Sequence, residues 1–347
     1  MKAITNKFKN WKLNNRQAIL GAMGAAALMT SVGSAYAADK VNLGALRFTS
    51  HSGGFVAFEK GYFKEQGIDV QFKFFQAAQP IAVAIASGDI DYGVTAITGG
   101  LLSLADKGVL KIIGGALKEE AGIDGSHILA SNKAYAAGLT SPAKLKGKSF
   151  AITQMGSSFH YNVSQIVGKE GIALSDVKLL PLQKVGLMIA AIKSGQADAM
   201  VIVPHIAKPL ARAGKVKIIG KLNDYAEYQV TTVFTSTKNA TEKRDLTKRF
   251  LIAYAKGVAE FNRVMLNQAK NPAETEALTK LIHKYVYKSR PYAKASKGIQ
   301  AGAMRISEGA KLDVADVKKQ LAWFQSQNLA PKSLTFDKLV DSSYSGN

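Results

Sequence analysis

The stretch Ile85-Ala86-Ser87-Gly88-Asp89-Ile90-Asp91-Tyr92-Gly93-Val94 is echoed further along the chain by Ile192-Lys193-Ser194-Gly195-Gln196-Ala197-Asp198-Ala199-Met200-Val201. The shared pattern is Ile-x-Ser-Gly-x-x-Asp-x-x-Val. Each copy reads as an apolar helix end, a Gly suited to the left-handed stop conformation, a short turn and a buried strand. Glu65-Gln66-Gly67-Ile68 precedes the first copy much as Lys169-Glu170-Gly171-Ile172 precedes the second. Two similar α/β lobes in one chain imply a cleft, and a cleft is a place to hold a small ligand.

Working outward, the flanking sequence alternates short apolar strands with helices of ten or so residues, which predicts mainly parallel sheets. Strands are expected at Val41–Phe48, Val70–Phe75, Tyr92–Ala96, Leu110–Gly114 and His127–Ser131. The grammar restarts at Lys148–Thr153 and runs through the helix Ser158–Lys169 to Val216–Ile219. Gln229–Thr235 reads as a further strand, and the helices Lys243–Leu266, Ala273–Val286 and Val314–Gln327 follow. The chain is read as leaving the first lobe near 130–140 and returning near 225–230, and two crossing strands make a hinge. The resulting division is a leader at 1–37, one lobe from 38–130 plus 228–347 with the C-terminal helices backing it, and a second lobe from 131–227.

Composition agrees with a globular chain: 347 residues, 47% hydrophobic and 20% charged suffice for two cores. Lys2, Lys7, Lys9, Lys12 and Arg16, an apolar run from Ala18 to Val32, and Ser34-Ala35-Tyr36-Ala37 read as a secretory leader cleaved after Ala37. The run of about fifteen residues is short of the roughly twenty that span a bilayer. Removing the five basic residues of 1–37, which holds no acid, lowers the formal charge of +21 by five to +16. The basic groups are scattered without stacking aromatics, so no nucleic acid is expected, and the field serves either to steer anions to a cleft or simply to solvate the surface. The absence of Cys fits an exported protein without disulfides and excludes thiolate chemistry. Five scattered His and no Cys give no metal site, and no phosphate-binding Gly-x-x-x-x-Gly-Lys-Ser/Thr is present.

The segments Phe58–Val70, Ile85–Gly93, Leu145–Ala151, Ala191–Ala199 and Val317–Leu329, in this order, resemble the nitrate, sulfonate and taurine family of solute-binding proteins of ABC importers. The resemblance implies a two-lobe type II periplasmic-binding-protein fold and a monomeric periplasmic receptor. Such a receptor has no cofactor and no catalytic residues, and it passes a small molecule to an inner-membrane permease driven by a separate ATPase. Many family members carry Trp-Glu-Pro where this chain has Ile202-Val203-Pro204-His205, so the family's specificity does not transfer directly. Two other readings of the fold are an extracytoplasmic sensor and an enzyme related to thiamine-pyrimidine or menaquinone synthesis. The leader argues against the enzymes, and the pyrimidine synthases' Cys-rich motif is missing.

Ligands of α/β lobes sit beyond the carboxyl ends of strands, against helix N-termini. Three junctions there combine hydroxyls with glycines: Arg47–Phe55, Thr95–Gly100 and Thr153–His160. They suit an anionic oxygen approaching backbone N–H groups, although Ser, Thr and Gly are also ordinary caps. The expected ligand contacts are Phe48, Ser50, His51, Thr95, Thr98, Gln154, Ser157, Ser158, Phe159, His205 and Tyr228, with Thr98, Ser157 and Ser158 foremost. Phe55 and His160 are further candidates to clamp an organic body, Tyr225 to cover it and Arg47 to supply charge. The expected solute is a small organic anion, an aromatic carboxylate or an organosulfonate.

Overall fold

The computed structural model describes residues 37–344, so the leader at 1–37 lies outside the described residues except for Ala37. Strand β1 (Asp39–Leu46) pairs in parallel with β2 (Ile68–Phe75) and β3 (Tyr92–Ala96), and β4 (Leu110–Gly115) follows. The chain passes through a short strand β5 (Lys118–Glu119), then forms β6 (His127–Ser131), β7 (Ser149–Ile152), β8 (Lys178–Pro181), β9 (Ala199–Ile202) and β10 (Val216–Lys221). It returns through β11 (Tyr228–Gln229), antiparallel to β5, and ends its strands with β12 (Thr231–Ser236). The sheets have the orders β2-β1-β3-β12-β4 and β10-β6-β9-β7-β8.

Both sheets are mainly parallel with one reversed strand each, for one topological reason. β12 runs antiparallel to β3 and β4, and β6 runs antiparallel to β9 and β10. Each is the strand by which the chain first reaches a sheet from the other, so it enters against the direction of its neighbours. β6 lies in the second sheet, so the chain has left the first sheet before residue 127. The expected exit at 130–140, and the boundary at 130, put most of this strand with the wrong sheet.

The repeated motif anchors the two sheets in the same way. Gly88 and Gly195 take φ of 79° and 77°, the left-handed region that glycine enters without a Cβ clash. Past each turn an Asp reaches the neighbouring strand. Asp91 Oδ2 accepts the Asn42 N–H at 2.8 Å, and Asp198 Oδ2 accepts both the N–H and the hydroxyl of Ser149 at 2.8 Å. These charge-assisted bonds fix the strand next door.

The inner strands β3, β6 and β9 are buried on both faces and read as continuous apolar runs, whereas the edge strands β2, β8 and β10 are partly exposed. In the second sheet, Phe150 and Ile152 point to one core and Ala151 to the other, while Ala199 and Val201 alternate with Met200 and Ile202. Helix Arg244–Met265 crosses helix Ser52–Glu59 so closely that a Cβ on Gly257 would lie 2.3 Å from the Gly53 carbonyl.

The C-terminal helices do more than back the first lobe. In helix Val314–Ser326, Asp316 accepts the Gln229 N–H and Gln320 donates to the Gln229 carbonyl, both at 2.8 Å, and Trp323 meets Tyr161 edge-on at 5.0 Å. This helix therefore ties β11 to the second lobe. Helix Tyr292–Gln300, unforeseen from the sequence, packs on helix Pro204–Arg212.

Candidate functional site

The carboxyl ends of β1, β3, β7 and β9 converge on a cavity between the sheets. Phe48, Ser50, His51 and Thr95 line it from the first lobe, and Ser158, Phe159 and Asn162 from the second. β1 runs through Phe48 into the turn Thr49–His51, which leads into helix Ser52–Glu59, while β7 leads through Thr153 to helix Ser158–Lys169. First turns of helices carry N–H groups with no intrahelical acceptor. The first turn of helix Ser158–Lys169 therefore borders the cavity, and the turn Thr49–His51 borders it from the first lobe.

The polar groups of the wall are buried and in part unpartnered. Ser50 Oγ and Thr95 Oγ1 make no hydrogen bond, as is also true of Thr49, Ser52 and Thr232 outside the lining; an unpartnered buried hydroxyl carries a desolvation cost that a bound acceptor would recover. The N–H of Leu46 donates to His51 Nδ1 at 3.4 Å, which leaves the ring proton on Nε2 as a donor. Burial lowers the His51 pKa to about 3, so the ring is neutral. Tyr228 donates its hydroxyl to Asn162 Oδ1, leaving the Asn162 NH2 as a second donor. No Lys, Arg, Asp or Glu borders the cavity. The space open to the centre of a water-sized sphere is about 60 Å³, whereas a single water needs roughly 10–15 Å³ by that measure. Such a space suits a head group of a few heavy atoms.

The sequence-expected residues divide into two groups. Phe48, Ser50, His51, Thr95, Ser158 and Phe159 come together in this wall. Thr98 and Ser157 do not, because each is a helix N-cap: Thr98 accepts from the Leu101 N–H at 3.2 Å and Ser157 from the His160 N–H at 3.3 Å. Gln154 pairs with Gln79, a contact between the lobes outside the cavity. Tyr228 is buried and acts on the wall only through Asn162. His205 stands behind Phe48, ring centroids 5.1 Å apart, and borders a separate outer groove.

The further aromatic candidates are also structural. Phe55 stacks on Tyr285 at 4.5 Å in the core, His160 Nδ1 accepts the Gly156 N–H at 3.1 Å, and Tyr225 donates to Glu170 at 2.6 Å. Asn162 escaped the sequence reading, although it follows Ser158 at the i,i+4 spacing that shares a helix face.

The lobes touch around the cavity. The Gly99 N–H donates to the Gly156 carbonyl at 2.9 Å, and Tyr287 donates to the His205 carbonyl at 2.7 Å. Tyr287 has a φ of 60°, an uncommon conformation for a residue with a side chain. Among the described residues no group of His, Asp and Glu could hold a metal ion, and no helix is long and apolar enough to cross a membrane.

Comparison with known proteins agrees with this architecture. The alkanesulfonate-binding protein SsuA from Xanthomonas axonopodis pv. citri, solved with MOPS, has 19% sequence identity and a TM-score of 0.68, with 86% of this chain and 97% of that chain covered. The periplasmic aliphatic sulphonate binding protein SsuA from Escherichia coli gives 16%, 0.67, 87% and 92% for the same four measures. The periplasmic nitrate-binding protein NrtA from Synechocystis PCC 6803 gives 14%, 0.68, 88% and 87%. These likenesses establish the periplasmic-binding-protein fold. No curated protein matches the sequence. The profile described as NMT1/THI5 like matches residues 48–263, more than half of the chain, and the protein belongs to the NMT1/THI5-like family.

Proposed function

We propose that this protein is the periplasmic solute-binding component of an ABC importer. It captures a small organic anion, an aromatic carboxylate or an organosulfonate, between its lobes and presents it to an inner-membrane permease that works with a separate ATPase. The observation that carries the reading is the pair of buried, unpartnered hydroxyls of Ser50 and Thr95, facing the N-terminal turn of helix Ser158–Lys169 across the cavity. An oxyanion there accepts from hydroxyls, the His51 and Asn162 donors and backbone N–H groups, and the dipole of helix Ser158–Lys169 favours its charge. Donors without a balancing cation suit capture followed by release. The fold likeness to sulfonate- and nitrate-binding proteins and the leader sequence support the same reading. The cavity wall has no carboxylate, Lys or Cys, and one nitrogen of its only histidine is occupied by a backbone N–H. It therefore lacks an acid–base pair or activated nucleophile, and we read the protein as a monomeric receptor and not an enzyme.

The test is a thermal-shift screen of the purified chain from Ala38 to Asn347 against benzoate, alkanesulfonates, taurine, nitrate and bicarbonate. A solute that binds only the folded state raises the melting midpoint. Ser50→Ala with Thr95→Val should abolish the shift. If every solute leaves the wild-type midpoint unmoved, the anion reading is wrong.

A further inference from the structure

Outside the inner cavity, on the far side of Phe48 and His205, the lobes form a broad groove of about 590 Å³. Its floor is apolar, with Phe75 on the first lobe facing Ile189 and Leu210 on the second. Two cations border it. The Arg47 guanidinium lies 3.7 Å from the centroid of the Phe74 ring, and that of Arg290 lies 4.4 Å from the centroid of Tyr287. Arg47 donates one N–H to the Tyr285 carbonyl at 3.1 Å, and neither arginine pairs with a carboxylate among the described residues. Arg305, Arg263 and Arg249, by contrast, all do.

We infer that this groove is a second binding compartment, taking amphipathic organic anions whose carboxylate or sulfonate engages Arg47 and Arg290 while an aryl or alkyl body lies on Phe75, Ile189 and Leu210. Each guanidinium lies over an aromatic face, and N–H groups that point away from the ring remain for an oxyanion, which a guanidinium fork can engage with two donors. The apolar floor excludes water beside the charge pair and strengthens it. Phe48 and His205 stand between the two compartments, so the groove selects for a charged head and a bulky body, whereas the inner cavity, bordered by no charged side chain, takes an oxyanion head group.

The probe is 8-anilinonaphthalene-1-sulfonate, followed by fluorescence titration of the chain from Ala38 to Asn347, with the neutral N-phenyl-1-naphthylamine as its uncharged counterpart. Arg47→Gln with Arg290→Gln should raise the Kd of the sulfonate at least tenfold and leave that of the neutral amine unchanged. The exposed pair Lys215→Gln with Lys217→Gln, which removes the same total charge elsewhere, should leave both unchanged. Leu210→Glu, which puts a carboxylate on the floor and leaves both arginines in place, should abolish sulfonate binding. A sulfonate Kd within threefold of wild type in either the arginine or the Leu210 variant overturns the inference, as does equal weakening by the lysine pair. Failure of the thermal-shift screen leaves this titration untouched, so the two readings fail separately.

Discussion

Thr95 and Thr98 offer one substitution with two opposite outcomes. Both side chains are 1% exposed, and Thr→Val keeps the shape while deleting the hydroxyl. Thr95 Oγ1 has no hydrogen-bond partner, so its removal relieves a desolvation cost of about 1–3 kcal/mol, and Thr95→Val should stabilise the ligand-free protein by that order. Thr98 Oγ1 caps helix Gly99–Asp106 through the Leu101 N–H, and loss of a cap costs about 0.5–2 kcal/mol, so Thr98→Val should destabilise. Urea unfolding at pH 7, followed by both tryptophan fluorescence and circular dichroism, measures the two shifts as changes in midpoint at constant slope. The solute that raises the wild-type melting midpoint should bind Thr95→Val at least tenfold more weakly and Thr98→Val within about twofold of wild type. If Thr95→Val is destabilised as Thr98→Val is, the Thr95 hydroxyl is a satisfied structural group and not a donor held ready for a ligand.

The remaining predictions concern pH, the scaffold and the hinge. Burial lowers the pKa values of His51 and His205 to about 3, so the unfolded chain takes up protons that the folded one refuses. Their contribution to stability is whole above pH 6.5 and is lost as pH falls from 6.5 towards 3, at about 1.4 kcal/mol per pH unit per histidine. Buried Glu119, raised to about 7, runs the other way, losing its contribution as pH rises from 4.5 to 7. The His51→Gln, His205→Gln double variant, compared with wild type, cancels Glu119 and should show a flatter fall in stability between pH 6.5 and 4.5; parallel curves would contradict neutral buried rings. Asp91→Ala and Asp198→Ala should each lower unfolding stability by about 1.5–3 kcal/mol, the range for bonds to a charged group, without changing solute affinity, as denaturation and titration would show. Tyr287→Phe removes a direct hydrogen bond between the lobes, and small-angle scattering should find a larger radius of gyration with solute affinity reduced severalfold; an unchanged radius would mean that the remaining lobe contacts suffice.

The cavity was legible only where local signals coincided with the topology. Ser, Thr and Gly before a helix are the same letters whether they cap it or wait for a ligand, and the structure separates them by partner. Thr98 and Ser157 face their own helices, whereas Ser50 and Thr95 face the gap between lobes. His205 lies near its expected place, yet the ring of Phe48 puts it on the outer side of a partition that no spacing encodes. Arg47 and Arg290 are far apart in sequence, and only the stacking of each on a neighbouring ring brings both to one groove.

By itself the sequence determined the two-lobe α/β plan, because a repeated helix stop, turn and strand is a local pattern set by glycine conformation and apolar periodicity. It also led to the expectation of a return near residue 228, and β12, from Thr231, pairs in the first sheet. The tertiary structure decided the antiparallel direction of β6 and β12, the exit before residue 127 and the role of helix Val314–Ser326 at the hinge. These depend on which end of a sheet the chain enters and on contacts between distant segments. It likewise decided which hydroxyls remain without partners, since satisfaction of a buried polar group is a property of its surroundings in space and not of its neighbours in the chain.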